Sequence, residues 1–292
     1  MIEKEEAMKR LEILIDDKSQ MSPINKFIDT LGWKDYDKWD VRQFLNKLEE
    51  EDYSKNYRRF CFYSIKLLFE AMDKEWDLNP RKDLPKKPTK GESRTPVMTK
   101  DQVKAMIEYT ILKGEPYEEF YICCATTYGL RRGEIQAIKP RDLKFEETRD
   151  DGLEEDTIYI RTKKGGEKKE QWIPPEIKPI LKDYDFDRKV WEFDISIMND
   201  IFDDILQNVG IEKERGMGFH SIRRALRTEM GRALRDAREK GGTGLVESDI
   251  YQFLRWRTSD KEKKLLSIYD KSDTIEGDKE IFKIHPFLEY WT

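Results

Sequence analysis

Residues 118–135 read EEFYICCATTYGLRRGEI, an apolar run that leads into a glycine-containing turn and two adjacent arginines. The run predicts a helix over 118–127, and the turn after it sets Arg131 at the start of a further helical segment. A second segment of this kind, FHSIR at 219–223, opens a long helix with apolar residues at three- and four-residue spacing. The chain therefore presents two arginines, Arg131 and Arg223, on separate turn-then-helix segments.

Short strands and further helices surround these segments. Alternating residues predict strands over 157–161 and 171–173, and the glycines between them predict a hairpin turn. Helical spacing continues after the sheet, over 195–209, 248–254 and 261–269. This part of the chain is thus expected to be mostly helical, with one small antiparallel sheet.

The N-terminal part has a different pattern. Residues 1–78 are predicted to be helical, because apolar residues recur every three or four positions and glycine is nearly absent. Residues 79–97 contain four prolines and few apolar side chains, as expected of an extended basic linker. A capping box begins at Thr99, so a second domain is expected over 98–292, with a C-terminal tail at 270–292.

Composition excludes several classes of protein. Charged residues make up 39% of the chain, yet 14 Phe, 13 Tyr and 7 Trp, with a net charge of only −5, argue against disorder. No apolar run approaches the roughly 20 residues that span a bilayer, and the N-terminus has no signal-peptide core. Three cysteines, two of them adjacent, favour a reducing cytoplasmic location, and two histidines without a CxxC motif argue against a zinc site.

The small net charge hides strong segregation along the chain. Basic residues concentrate in 79–100, 160–169 and 220–240, whereas acidic residues concentrate in 142–156 and 183–204. Positive segments that converge on one face bind polyanions even when the whole chain is acidic. Solvated helix faces are the alternative interpretation of each basic segment.

Arg131 and Arg223 suit phosphoryl chemistry that needs no metal. The sequence has no GxxxxGK[ST] loop and no carboxylate cluster of the two-metal kind. Two guanidinium groups can hold the nonbridging oxygens of a phosphodiester and stabilise the charge of its transition state. His220 lies three residues before Arg223 on the same helical face. No metal and no cofactor is therefore expected.

Taken in order, these motifs resemble the tyrosine recombinase, or integrase, family, and their irregular C-terminal spacing is similar to its divergent archaeal and viral branch. The matching segments are Gly129-Leu130-Arg131 with Glu134, Asp142-Leu143, Lys164-Gly165 with Ile173-Pro174, His220-Ser221-Ile222-Arg223, Leu254-Arg255-Trp256, and Tyr269 in LLSIYDK. The Leu254-Arg255-Trp256 segment stands where the family usually has Leu-Gly-His. The resemblance covers nearly the whole chain.

The resemblance implies a mainly α protein in which a helical core-binding domain, 1–78, and a mixed α/β catalytic domain, 98–292, form a C-shaped clamp on duplex DNA. It implies a site-specific recombinase that integrates or excises a mobile element through a 3′-phosphotyrosyl intermediate. It further implies self-association into a tetramer on DNA and a cytoplasmic, nucleoid-associated location. Because phosphotyrosine conserves the bond energy, neither ATP nor a metal is needed.

The resemblance also assigns a role to each matched side chain. The expected catalytic residues are Arg131 and Arg223 as phosphate clamps, Lys164 as the acid for the departing 5′ oxygen, His220 as the proton relay for the tyrosine, Trp256 as an indole donor over the phosphate pocket, and Tyr269 as the nucleophile. Glu134 is expected to pair with an active-site base and orient it, and a helix salt bridge with Arg131 is the alternative. A free tyrosine has a pKa of about 10, so neighbouring cations must lower the cost of ionising it.

Some of these positions have rivals in the sequence. The rival assignments are Lys163 against Lys164 in the hairpin, Arg257 against Trp256 at the late position, and Tyr251 or Tyr290 against Tyr269 as the nucleophile. Arg224 stands where the family commonly has histidine.

Ser54 is a predicted helix cap followed by basic and aromatic side chains, an arrangement that suits a phosphate backbone. The predicted DNA contacts are Ser54, Lys55, Tyr57 and Arg58 on this helix, Lys86, Lys87 and Lys90 in the linker, Lys163 in the hairpin, and Arg224. An ordinary capped surface helix is the alternative for the first group.

Two other functions share these motifs. A type IB topoisomerase relaxes supercoiled DNA with the same chemistry, and a non-catalytic DNA-binding relative keeps the fold alone.

The C-terminal tail allows two arrangements. The tail carries an apolar cluster at 281–291 that requires burial. We expect it to dock on a neighbouring protomer, and folding back on its own domain is the alternative.

Overall fold

The computed structural model describes residues 3–84, 96–148, 154–162, 169–187, 197–255 and 274–292. Two compact units make up the chain, Met1–Arg94 and Thr95–Thr292, and they are called here the N-terminal unit and the C-terminal unit. Within the described ranges, no helix is long and apolar enough to cross a membrane.

The N-terminal unit is helical, as the spacing of its apolar residues predicted. Its described helices are α1 (Lys4–Leu14), α2 (Met21–Leu31), α3 (Lys38–Glu50), α4 (Lys55–Ala71) and the short α5 (Pro80–Asp83), with a 3-10 turn at Lys18–Gln20. The side chain of Asp37 accepts hydrogen bonds from the first turn of α3, and that of Ser54 accepts one from α4, so both helices begin at a capping residue. α4 packs against α1, α2 and α3 and forms the centre of the unit.

The core of the N-terminal unit extends into the segment that was predicted to be linker. The rings of Phe27 and Phe44 meet edge to face at its centre, 5.2 Å between centroids. Leu84 is buried in the same core. Arg42 donates from Nε and Nη2 to Asp83 Oδ1, at 2.9 and 2.6 Å, and so attaches α5 to α3. The predicted boundary after residue 78 is therefore wrong, because the following residues complete the core.

The C-terminal unit combines helices with one sheet. Its described helices are α6 (Lys100–Lys113), α7 (Pro116–Thr127), α8 (Arg132–Ile135), α9 (Lys178–Lys182), α10 (Ile197–Asn208), α11 (Phe219–Glu239), α12 (Glu247–Phe253) and α13 (Thr274–Phe282), with 3-10 turns at Pro140–Asp142 and Leu288–Trp291. The predicted capping box is present, since Thr99 Oγ1 accepts from the Gln102 N–H at 3.2 Å and the Gln102 side chain accepts from the Thr99 N–H at 2.9 Å. The helix predicted over 261–269 lies outside the described residues.

The sheet is antiparallel, with the strand order β1 (Leu143–Thr148), β2 (Glu154–Ile160) and β3 (Lys169–Trp172). β2 and β3 are the two predicted strands, and Thr157 pairs with Trp172 in their register. β1 was not predicted. It pairs with β2 through an irregular register and has Glu146 at a φ of 57°, which breaks the simple alternation of a strand.

A single apolar core lies between α7, α11 and the sheet. α7 is buried almost throughout, which fits its apolar sequence, and it packs against α6, α9 and α11. Cys123 and Cys124 lie in this core and Cys61 lies in the core of the N-terminal unit, so all three cysteines of the chain are buried and free. Burial raises the pKa of the Cys61 thiol to about 11.

The C-terminal tail folds back onto the C-terminal unit. Its buried apolar residues are Ile275, Ile281, Phe282, Phe287, Leu288 and Trp291. α13 packs on β3 and α12, and the final 3-10 turn packs on α6. In the single chain, the described tail thus covers apolar surface of its own domain, and docking on a neighbouring protomer stays a prediction.

Candidate active site

The turn at residues 128–131, called here the arginine turn, joins α7 to α8. Gly129 has a φ of +60°, a left-handed conformation that side chains disfavour. A Cβ on Gly129 would meet Leu254 Cδ2 at 2.9 Å and Leu226 Cδ2 at 3.3 Å. Glycine is thus required both by the backbone angle and by the close approach of α11 and of the end of α12.

Arg131 lies at the end of this turn and is held by Glu134. The Arg131 backbone N–H donates to Glu134 Oε2 at 2.9 Å, and Arg131 Nη1 donates to Oε1 at 2.6 Å. The Glu134 side chain is 1% exposed and that of Arg131 is 36% exposed. A buried carboxylate therefore fixes the direction of a guanidinium that reaches the surface, and the bond is the helix salt bridge that was the alternative for Glu134.

Arg223 reaches the arginine turn from α11. Its side chain is fully buried, with Nη1 donating to the carbonyl oxygen of Gly129 and Nη2 donating to that of Leu254. Burial and, to a smaller degree, the nearby cations of Arg255 and Arg131 together lower the pKa of Arg223 to about 9. The group stays charged at neutral pH, so the site keeps a buried cation beside the exposed one.

His220 lies in the first turn of α11 and is exposed. The start of this helix is capped by Ser221, whose Oγ accepts from the Gly218 N–H at 3.1 Å. His220 and Arg223 thus lie about one helical turn apart, which places them on one side of α11. Arg224, a predicted DNA contact, is half-buried on the next position of the helix.

Arg255 is a member of the site that the sequence did not indicate. It has a φ of 54° and is 4% exposed. Nη1 donates to Gln171 Oε1 and to the carbonyl oxygen of Phe253 at 3.0 Å, and Nη2 donates to that of Tyr128 at 2.9 Å. The available signal was its position in Leu254-Arg255-Trp256, where the related family usually has a glycine, the residue type that tolerates a left-handed turn.

Buried charges of both signs lie near the arginine turn. Burial lowers the pKa of Arg255 to about 10, although the carboxylates of Glu134 and Asp278 act to raise it. Asp278 is buried on α13, where Oδ2 accepts from the Trp172 N–H at 3.4 Å. The described residues contain no cluster of three or more His, Cys, Asp and Glu side chains that could hold a metal ion.

Arg161 connects the hairpin strands to the segment that follows α8. It lies just after β2, and its Nη1 donates to Asp142 Oδ2 and, at 3.4 Å, to the carbonyl oxygen of Ala137. Asp142 is 2% exposed and also accepts from the Lys139 N–H at 2.9 Å. This ion pair fixes the base of the β2–β3 hairpin relative to the arginine turn.

Several predicted site residues lie beyond the part of the chain that the structure describes. Those that lie outside the described residues are the catalytic candidates Lys164, Trp256 and Tyr269, the rivals Lys163 and Arg257, and the linker lysines Lys86, Lys87 and Lys90. Both described rivals of Tyr269 have contacts of their own. The Tyr251 hydroxyl donates to Glu247 at 2.7 Å and accepts from Arg227 at 2.8 Å. Tyr290 packs beneath two lysines of α6.

The predicted DNA contacts of the N-terminal unit divide into two groups. Ser54 caps α4, with its Oγ accepting from the Tyr57 N–H at 3.2 Å, and Lys55 is half-buried in the first turn. The Tyr57 ring stacks on another tyrosine of the same unit. Arg58 is 7% exposed and pairs with Glu49 at 2.7 Å. The prediction that Arg58 contacts DNA is therefore wrong, because its side chain points inward with the apolar face of α4.

Comparison with known proteins gives a likeness at the level of fold. No protein-family model matches the chain, and no curated protein matches it in sequence. Among solved structures, the chain is similar to the XerH site-specific recombinase bound to a palindromic difH substrate in a post-cleavage complex, with 13% identity, a TM-score of 0.51 and coverage of 86% of this chain and 78% of that one.

Two further structures have lower TM-scores. XerA recombinase is 18% identical with a TM-score of 0.38, and the match covers 92% of this chain and 99% of that one. The integrase from mycobacterium phage Brujita is 15% identical with a TM-score of 0.42, and the match covers 98% and 96%. With its mostly helical units and small antiparallel sheet, and by its likeness to XerH, the chain has the tyrosine-recombinase fold.

Proposed function

We propose that this chain is a tyrosine-type site-specific recombinase that cuts and rejoins duplex DNA without a metal or ATP. The observation that carries the proposal is the meeting of Arg131, Glu134 and Arg223 at the arginine turn, where Arg223 bonds to Gly129 across 94 positions of sequence. A fixed pair of guanidiniums beside a partly exposed surface suits a phosphodiester better than it suits the stability of a core. The fold-level likeness to XerH supports the same conclusion.

In the proposed reaction, the Tyr269 hydroxyl oxygen attacks the scissile phosphorus and the bond from phosphorus to the 5′ oxygen breaks. A 3′-phosphotyrosine forms, His220 takes the phenol proton, and Lys164 gives a proton to the departing 5′ oxygen. The same steps in reverse join the tyrosyl-linked strand to another 5′ hydroxyl. Trp256 donates its indole N–H to the phosphate pocket.

Arg131 and Arg223 have different parts in this reaction. Arg131 is partly exposed and oriented by Glu134, so it is the group that first meets a nonbridging phosphate oxygen. Arg223 lies behind it, where low polarity strengthens its attraction to the charge that develops on the phosphorane. Arg131 thus binds the incoming phosphate and Arg223 stabilises the charge of the transition state, without an added metal ion.

The wider assignments follow from the same proposal. Duplex DNA is the partner, with Ser54, Lys55, Tyr57 and Arg224 among the contacts and a tetramer as the assembly that exchanges strands. The mobile-element role and the archaeal or viral branch of the family belong to the proposal as well.

The test is covalent trapping with nicked suicide substrates made from the DNA that flanks the gene, in the presence of EDTA. We expect the wild-type chain to form an adduct that survives denaturation, and Tyr269→Phe to form none. Tyr251→Phe and Tyr290→Phe are the matched controls, and both are expected to form it. An adduct with Tyr269→Phe refutes the nucleophile assignment, and an adduct that requires a divalent metal refutes the mechanism.

A non-catalytic DNA-binding relative is the second candidate. It is favoured by the full burial of Arg223, whose two Nη groups both bond to backbone carbonyls. On this alternative, the wild-type chain binds one of the flanking sequences specifically yet forms no adduct with any nicked substrate. The trapping experiment therefore separates the two functions.

A further inference from the structure

The backbone at Arg255 is in a conformation that its side chain disfavours. Its φ of 54° is left-handed, and a glycine would adopt it without strain. The same residue carries a long cationic side chain into the interior, where it is 4% exposed. Two costs thus coincide at one residue, and a glycine at that position would have neither of them.

The bonds that Arg255 makes are to neutral oxygens. Its Nη groups reach Gln171 Oε1 and the carbonyl oxygens of Tyr128 and Phe253, while its Nε has no hydrogen-bond partner in the described part of the chain. Gln171 is fully buried and donates from Nε2 to the Phe253 carbonyl at 3.3 Å. A buried cation without a directly bonded carboxylate is expensive, so stability of the core alone is a poor reason for it.

Arg255 and Arg223 both donate hydrogen bonds to the arginine turn and to the end of α12. Arg223 bonds to the carbonyls of Gly129 and Leu254, and Arg255 bonds to the carbonyls of the residues immediately before them, Tyr128 and Phe253. Two guanidiniums therefore connect consecutive peptide groups of the arginine turn to consecutive peptide groups at the end of α12. The chain beyond α12 leads to Trp256 and Tyr269, the residues proposed to complete the site.

We propose that Arg255 is a positioning residue that acts through the arginine turn, an inference that rests on the proposed recombinase function. Its guanidinium fixes the carbonyl groups at 128 and 253, and so it holds the arginine turn against the end of α12. Arg255 thus aligns the site without touching the DNA.

The test compares cleavage with DNA binding in Arg255→Gly, Arg255→Lys and the wild-type chain. Glycine suits the backbone angle but removes the guanidinium that joins the arginine turn to the end of α12, a link called here the brace. Single-turnover adduct formation on a nicked flanking substrate is therefore expected to fall about 100-fold. DNA affinity is expected to stay within about threefold, since Arg255 is only 4% exposed. Lysine keeps the charge but has no planar fork, so a loss of about tenfold is expected.

Two controls separate positioning from general damage. Lys213→Ala removes an exposed lysine of the C-terminal unit that pairs with Asp203, and it should cleave at the wild-type rate. Millimolar guanidinium chloride should restore part of the activity of Arg255→Gly by filling the vacated site. Wild-type cleavage by Arg255→Gly overturns the proposal.

A second measurement does not depend on catalysis. Amide hydrogen exchange over 128–135 is expected to be about tenfold faster in Arg255→Gly than in the wild-type chain, with α6 unchanged. If the wild-type chain forms no adduct, the proposed function fails and this exchange result alone decides whether the brace exists. If Arg255→Gly loses protection in α6 as well, the decision rests on Arg255→Lys. Slow cleavage by Arg255→Lys with α6 still protected supports the brace. Cleavage by Arg255→Lys at the wild-type rate overturns it.

Discussion

The two units differ in the charges that their cores contain. Among the described residues, the N-terminal unit buries one charged side chain, Arg58, and that side chain pairs with an exposed glutamate. The C-terminal unit buries Glu134, Arg223, Arg255 and Asp278 around the arginine turn. Apolar side chains would fill this space at lower cost, so these charges point to chemistry rather than to folding. Apart from Arg58, the described charged side chains of the N-terminal unit are at least partly exposed.

Removal of the tail should have the largest effect and should act on the C-terminal unit alone. Deletion of 275–292 exposes the core that Phe282, Phe287 and Trp291 cover, at a cost of more than about 5 kcal/mol. We expect amide protection to be lost in α6 and α7 and kept in α4, as read by hydrogen exchange. A truncated chain with normal protection in α7 that fails only to form tetramers on DNA would support docking on a neighbour instead.

Replacement of one buried arginine in each unit gives the most direct comparison. Arg223→Leu leaves the carbonyls of Gly129 and Leu254 without their donors, so we expect the free energy of unfolding of the C-terminal unit to fall by about 3 kcal/mol. Arg58→Leu breaks a pair whose glutamate is 65% exposed, so a change within about 1 kcal/mol is expected for the N-terminal unit.

Hydrogen exchange of peptides from each unit measures both changes in the full chain. Equal losses in the two units would show that buried charge has the same function in both cores, and the contrast drawn above would then be wrong. Arg223→Leu is also expected to abolish adduct formation, whereas Arg58→Leu should leave it unchanged.

Acid should weaken the C-terminal unit through His285. Its Nε2 donates to the Thr127 carbonyl at 3.0 Å and its Nδ1 accepts from the Phe287 N–H at 3.3 Å, so the buried ring is neutral. Burial lowers the pKa of His285 from 6.5 to about 4. The unfolded chain therefore binds the proton first, and stability is complete above pH 6.5 and falls by up to about 3 kcal/mol as the pH approaches 4.

The other histidine of the chain provides the control for this pH effect. His285→Gln should flatten the acid side of the stability curve, measured by denaturant unfolding between those two pH values. His220→Gln removes an exposed ring and should leave the curve as it is. An unchanged curve in His285→Gln would show that carboxylates alone cause the acid sensitivity.

Local sequence pattern predicted the elements that depend on local chemistry. Apolar spacing located α4 and α7, the side chains at Thr99 formed the expected cap, and the β2–β3 pair appeared on either side of the glycine-rich turn. Arg131 and Arg223 each lie on a turn-then-helix segment as predicted, and Arg223 Nη1 donates to the carbonyl oxygen of Gly129 in the arginine turn. β1 was missed because acidic residues and a left-handed Glu146 obscure its alternation.

Other features depend on the tertiary structure and could not be predicted from local pattern. The basic start of α4 suggested a surface, yet Arg58 lies one turn before Cys61 and Phe62 and shares their buried face. The tail was correctly expected to need burial, but the surface that covers it is formed by α6, α12 and β3. A role for Arg255 was not predicted, because local pattern does not show that its backbone is left-handed and its side chain is buried.

The burial of all three cysteines leaves the native surface without a reactive thiol. A cysteine introduced at Ile13, which is 85% exposed in the N-terminal unit, or at Leu112, which is 77% exposed in the C-terminal unit, would be the site that a maleimide dye labels. A pair of dyes at these positions would turn the spacing of the two units into an energy-transfer signal. The native chain can therefore be labelled at chosen sites without removal of its own cysteines, and single-molecule energy transfer would measure whether DNA changes the distance between the units.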